Sequence, residues 1–420
     1  MTKSPLLLAT LFLLVSSVSS WAASDKVLYR FSGGDDGSSP YAGVILDDSG
    51  NLYGTTQYGG AYGYGTVFEL SRKADGGWKQ TVLHNFNLDG HDGAVPYASL
   101  VRDAAGNLYG TTNLGGAFLT DCGGIGCGTV FRLERGKDGA WAEIVLHSFD
   151  DNGTDGFNPY ANLIFDTHGD LFGTTEYGGR LGEGTVFELL RGASGKWQEK
   201  ILHDFNYANG ASPLGGLVFD SAGNLYGTTE YGGHYTHGTV FELELQPSGS
   251  WKENVLHSFN PGSGDGFEPY SGLVIDSSGR LYGTTPACFL GWGAVFQVQQ
   301  VNGHWKETLI HIFEVNNDGE SPYGPLAIDA AGRLYGTTLQ SFVNNQGGAG
   351  IVFRLSRTKG HGWSETILHQ FVHAGDGGNP YSGVVLDSTG NIYGTTSAGG
   401  GSQGHGVVFE VEPRTKSTRR

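Results

Sequence analysis

The chain has 420 residues and a formal net charge of −17, with 25 Lys and Arg against 42 Asp and Glu. A field of that sign repels polyanions, so nucleic acid is excluded as the expected partner. Gly supplies 72 residues without a three-residue period, which excludes collagen, and 23 Phe, 20 Tyr and 8 Trp are too many for a disordered chain.

Residues 1–24 read MTKSPLLLATLFLLVSSVSSWAAS: a cation at Lys3, an apolar run from Leu6 to Val15, then small residues ahead of Asp25. This is the pattern of a secretory signal peptide and predicts a secreted or periplasmic protein. The run is too short for a bilayer, and no later stretch approaches ~18 apolar residues, so no integral membrane segment is expected.

KVLYRF at 26–31 has strand character but no neighbouring strand to pair with. VILD at 44–47 is short and apolar, as an inner strand buried on both faces would be. DDSG at 47–50 is a turn, with Asp47 accepting backbone N–H bonds. NLYGTT forms the next strand, in which Gly54 permits a close approach by a neighbouring sheet or a bulge. GTVFEL at 65–70 is the third strand, and a fourth lies within WKQTVLHNF at 78–86.

This unit recurs. The Gly of YGTT or FGTT stands at 54, 110, 173, 227, 283, 336 and 394, a mean period of about 57 residues. The longer consensus is DG-x-x-P-Y, an apolar run, D-x-x-G-N-L-Y-G-T-T, a Gly-rich loop, G-T-V-F-E-L, a turn and W-x-E-x-x-L-H-x-F. Copy seven stops after GVVFEVEP without its fourth strand, and KVLYRF matches TVLHNF at 81–86. The expected fold is therefore all-β: a seven-bladed β-propeller over 25–413 with four-stranded blades, the last closed by the N-terminal strand. Closure removes exposed edges and favours a monomer; an open solenoid of stacked hairpins is the alternative. RTKSTRR at 414–420 reads as a short basic tail.

The repeat resembles the GloVer tandem repeat of Gloeobacter and Verrucomicrobia. The resemblance rests on Leu52 to Thr56, Gly59, Gly60 and Gly65 to Phe68, and again on Leu225 to Thr229 and Gly238 to Phe241. It implies an exported bacterial protein, often tethered by a C-terminal anchor. Here no apolar or sorting-like segment follows Val411, which favours a released or periplasmic form. The resemblance carries no catalytic residues.

Residues present in every copy are read as scaffold. The Asp row ahead of each hairpin Gly (Asp47 to Asp387) caps turns. The histidines of L-H-x-F (His84, His147, His203, His257, His311, His369) are read as buried side chains making one recurrent hydrogen bond, because equivalent positions stand far apart around a ring; a metal set is the alternative. His84 is expected to share a strand face with Val82 and Phe86. The Trp row from Trp78 to Trp363 is read as packing, with carbohydrate platforms as the alternative. No cofactor is expected; calcium is the alternative, since DDNGTDG at 150–156 offers hard oxygens for it. Cys122 and Cys127, in DCGGIGCG, are expected to form a disulfide, and Cys288 to be a buried thiol.

Function is expected where the symmetry breaks, on the face carrying the Gly-rich loops and DG-x-x-PY. Glu176 and Glu230 follow TT in copies three and four, where other copies have Gln57, Asn113, Pro286, Leu339 and Ser397. Two close carboxylates could serve glycoside hydrolysis, with His234 as a third member. His237, Phe289, Trp292, Tyr160 and Tyr270 are candidate ligand contacts, and His91, Phe118, Asp121, Phe342 and Asn345 are further irregular residues of that face. The preferred reading is a non-catalytic binding or scaffold protein for carbohydrate or a surface protein. The alternative is an extracellular carbohydrate-active hydrolase or lyase.

Overall fold

The computed structural model describes residues 24–192, 195–314, 318–343, 346–360, 362–373 and 375–413. Residues 1–23 of the segment expected to be a signal peptide (1–24), the basic tail and Asn345 lie outside the described residues, as does the side chain of Phe342. Among the described residues no helix is long and apolar enough to cross a membrane.

Seven four-stranded antiparallel sheets follow one another along the chain. In the first, β2 (Ile45–Leu46), β3 (Leu52–Thr56), β4 (Thr66–Arg72) and β5 (Trp78–Asn85) pair in that order. The last sheet has three local strands, and its outer position is filled by β1 (Ser24–Arg30), whose Val27 pairs with Phe409 and Arg30 with Val407. The ring is thus closed by the two ends of the chain, as the truncated seventh copy predicts.

β2 is shorter and more exposed than expected. Val44 is sealed, but Ile45 and Leu46 are only half-buried. As the innermost strand it has a hydrogen-bonded neighbour on one side alone. Asp47 caps the following turn: its Oδ1 accepts from the Ser49 and Asn51 amides at 2.8 Å each, and its Oδ2 from Asn51 Nδ2 at 2.9 Å. Gly54 admits the Phe68 ring from the next strand of its own blade, rather than another sheet, since a Cβ there would stand 2.7 Å from Phe68 Cζ.

Blades are joined by aromatic contacts. Phe86, at the end of one blade's outer strand, meets Phe131 of the next edge-on with centroids 5.2 Å apart. The same step links Phe31 to Phe68 at 5.2 Å and Phe371 to Phe409 at 5.0 Å, so the closing strand packs like any other. The Trp row packs between blades too: Trp197 lies against Tyr109 at 6.4 Å, and Trp251 against Phe172 at 6.4 Å. One expectation fails. Phe68 faces Val82, but the adjacent Val67 faces His84, because Leu83 is a bulge. Adjacent partners point to opposite faces, so His84 and Val82 do as well.

Candidate functional site

The axial mouth is built from a backbone device repeated in all seven blades. The residue ahead of Pro in each x-P-Y (Ser39, Val95, Asn158, Ser212, Glu268, Ser321, Asn379) is left-handed, with φ of 52–58°. In six blades its carbonyl accepts from the residue after TT, as from Glu176 N to Asn158 O at 3.1 Å and from Glu230 N to Ser212 O at 3.0 Å. In blade five the donor would be Pro286, which has none. This turn brings x-P-Y and the loop glutamates together at the axis.

Six x-P-Y tyrosines form a closed ring, successive centroids 4.3–5.8 Å apart: Tyr41, Tyr97, Tyr160, Tyr270, Tyr323 and Tyr381. Copy four has Leu214, and Tyr160 reaches past it to Tyr270. The channel is consequently narrow, a cavity of about 100 Å³ lined from every blade. Burial raises the Tyr160 and Tyr270 hydroxyls well above the usual phenol range, so both stay neutral donors.

Glu176 and Glu230 stand at this mouth. Burial pushes the Glu230 carboxyl up to about 7; the Tyr231 hydroxyl opposes this, and the Glu268 and Glu176 charges add to it. Burial likewise raises Glu176, opposed by Tyr177. Both glutamates in turn act on Tyr270. No described basic side chain offsets their charge. Tyr177 and Tyr231 beside them are exposed, as is Tyr58 at the equivalent position of blade one.

The outer edge carries a second set of polar groups. His84 Nε2 lies 2.9 Å from Asp92 Oδ2, His147 Nε2 3.1 Å from Asp155 Oδ2, and His257 Nε2 2.8 Å from Asp265 Oδ2. His311 with Asp318 and His369 with Asp376 repeat the pair at 3.2 Å each, and Tyr29 donates to Asp36 at 2.9 Å in the closing strand. Four of the six histidines (His84, His147, His257 and His369) therefore make one recurrent hydrogen bond to the DG aspartate, while among the described residues His311 Nε2 has no hydrogen-bond partner and His203 faces Asn209. The next blade adds the Glu of W-x-E: Glu199 Oε1 comes within 3.8 Å of His147 Nε2 and Glu365 Oε1 within 3.9 Å of His311 Nε2. Three sets bring their ligand atoms within 4.8 Å of one another and could coordinate a metal: His147–Asp155–Glu199, His257–Asp265–Glu307 and His311–Asp318–Glu365. Weighing histidines only against each other missed this, because each set mixes three non-equivalent repeat positions.

A family model of the Gloeobacter/Verrucomicrobia repeat matches residues 14–120, 119–289 and 245–420. The chain belongs to this repeat family. No curated protein matches it in sequence. Among solved structures, this repeat-family propeller is similar to an ulvan lyase from a new family of polysaccharide lyases, with TM-score 0.56, 12% identity and coverage of 94% of this chain and 96% of the lyase. It is also similar to the extracellular domain of a hybrid two-component system from B. thetaiotaomicron, with TM-score 0.57, 13% identity and coverage of 95% and 44%. A puromycin hydrolase gives TM-score 0.54, 14% identity and coverage of 94% and 55%. The chain spans under half the length of the Bacteroides protein. These likenesses are in fold, and they include enzymes as well as an extracellular domain.

Within this GloVer propeller the sequence candidates separate. Glu176, Glu230, Tyr160 and Tyr270 converge at the axis. His237 Nδ1 faces Glu268 Oε1 at 3.5 Å, next to them. His234 instead packs its ring on Tyr235 at 4.5 Å, and among the described residues no hydrogen bond or ion pair ties it to either glutamate. Phe289 and Trp292 are 72% and 52% exposed on a loop whose Leu290 reaches the outer cleft of His257, Asp265 and Glu307. Cys122 and Cys127 are joined as a disulfide, and Cys288 is buried. In the 150–156 loop, Asn152 Oδ1 is taken up by Thr154 and Asp155 amides, and Asp155 faces His147. Sequence reasoning missed Glu268 and the W-x-E glutamates. A signal for the latter was present: the one copy with Gln80 in place of Glu follows the one outer strand with Tyr29 in place of His.

Proposed function

We propose that the protein is an exported carbohydrate-active propeller, secreted or periplasmic, that hydrolyses a neutral polysaccharide at its axial mouth. The observation that carries this reading is Glu230, which is pushed up to about 7 beside a second raised carboxyl, Glu176. Near neutral pH Glu230 retains a proton to give to a glycosidic oxygen. Glu176, which lacks the added repulsion of Glu268, is the better base or nucleophile. Exposed Tyr177 and Tyr231 supply faces for sugar stacking, and the tyrosine ring closes the floor. The acidic mouth suits uncharged sugars; elimination from a uronate would need a cation to neutralise the substrate carboxylate.

A second reading, glycan binding without turnover, is favoured by the repetition of the exposed Tyr at 58, 177 and 231, a recurrence that suits stacking more than chemistry. The test is incubation with a panel of neutral and uronate polysaccharides, read by mass spectrometry for new reducing ends or unsaturated products. Hydrolytic products lost in E230Q and in E176Q support the proposal. Tight binding without products would replace it by the second reading, and unsaturated products would replace hydrolysis by elimination.

A further inference from the structure

The outer sets contain a mismatch that blade four resolves in its own way. There Asn209 stands where other copies have Asp, and its Nδ2 bridges His203 Nε2 at 3.1 Å and Glu253 Oε2 at 3.4 Å. The amide thus supplies hydrogens to His203 and to Glu253 Oε2, while Glu253 Oε1 keeps no partner. Where Asp takes that place, the imidazole offers its one hydrogen to Asp Oδ2, and the carboxylate oxygens that face each other across the blade boundary have no amide between them. Asp155 Oδ1 and Glu199 Oε1 have no hydrogen-bond partner, and neither have Asp265 Oδ1 and Glu307 Oε1. Asp155 and Asp265 are 8% and 6% exposed, so these are buried bare carboxylate oxygens. Such an arrangement is costly unless a proton or a cation bridges it, and the three-fold donor set of each gap is what a cation would use.

We propose that the three outer sets are binding sites for a divalent first-row transition cation, each held by a His and an Asp of one blade and a Glu of the next. One imidazole nitrogen with two carboxylates is a borderline donor set, which suits Zn²⁺ or Mn²⁺ better than the all-oxygen preference of Ca²⁺ or Mg²⁺. Two of the sets open onto clefts of about 520 and 540 Å³, which admit a hydrated ion and leave room for waters to complete its shell. Arg180 lines the first cleft and Lys306 the second, but among the described residues the ion pairs of these carboxylates are with His147 and His257 alone. An ion in these gaps would bind neighbouring blades to one another, tying ring stability to metal supply.

The test uses the whole mature protein, stripped with EDTA, dialysed, and titrated with Zn²⁺ and in parallel with Mn²⁺. Calorimetry and elemental analysis are expected to give three equivalents, with a rise in melting temperature. D155N, D265N and D318N should each remove one equivalent while keeping the fold, since blade four carries Asn natively. N209D should add a fourth. Uptake that the triple Asn variant leaves unchanged would assign the metal to surface histidines and overturn the proposal, as would no uptake of either ion. Should the triple variant fail to fold, N209D decides: a gain of one equivalent supports the sites, and no gain overturns them.

Discussion

The axis and the rim of this propeller use the same carboxylate chemistry to different ends. At the axis equivalent positions of different repeats converge, so the Glu176 charge acts on Glu230 and six tyrosines touch in a ring. At the rim equivalent positions diverge, and what meets is His, Asp and Glu from three different places in the repeat. A substitution in one copy therefore changes a shared site at the axis, but at the rim it changes one blade boundary in seven. The difference teaches that repeated residues mark structure at the rim, while unrepeated ones mark candidates for chemistry at the axis.

The largest effect on this contrast should come from deleting residues 24–30, which supply the rim position of the last blade and leave Val407–Glu412 an unpaired edge. Loss of a single cooperative calorimetric transition is expected; an unchanged transition would mean the ring does not depend on closure. Next, D92A removes the acceptor for His84 Nε2 at 2.9 Å and for Asn87 N at 3.0 Å. It should cost about 2 kcal/mol in urea unfolding, and D92N under about 1 kcal/mol, because a partly buried donor is orphaned only in the first.

A rim glutamate should also set an alkaline limit. Burial, then Asp92 and Asp89, push Glu143 up to about 8, far above its unfolded value. Its stabilising contribution is full below the unfolded pKa of ~4.3 and is lost as pH rises through about 8, up to about 5 kcal/mol by linkage. E143Q should flatten that slope. The turn aspartates act in the opposite window. Burial pushes Asp47 up, but the Asn51 and Ser49 hydrogen bonds outweigh it and hold it below the usual range, so its contribution is lost only in acid. The smallest stability effect is expected from E230Q at the axis, within about 0.5 kcal/mol or slightly stabilising, since a strained charge is removed. A loss above ~2 kcal/mol would make Glu230 a structural residue and blur the distinction between axis and rim.

Most of the fold was legible because each strand and turn is specified locally and the specification is written seven times. Asp47 caps its turn for reasons present in DDSGN itself, and KVLYRF could be matched to TVLHNF without coordinates. The axial pair was legible as an exception to a repeat, since Glu176 and Glu230 occupy equivalent places in adjacent copies. His234 was misgrouped because closeness in sequence along a Gly-rich loop does not fix which way a side chain leaves it.

What the sequence by itself determined was the repeat, its four strands, the number of blades and the strand that closes them. These depend on alternation, turn residues and length, all carried within about 57 residues. Tertiary structure alone decided which unlike positions meet. The bulge at Leu146 turns His147 away from the face that alternation assigns it, as Leu83 does for His84, and the next blade then sets Glu199 against His147 and Asp155. A two-residue period carries no information about the neighbour across a blade boundary, because that contact is set by the packing of one twisted sheet on another.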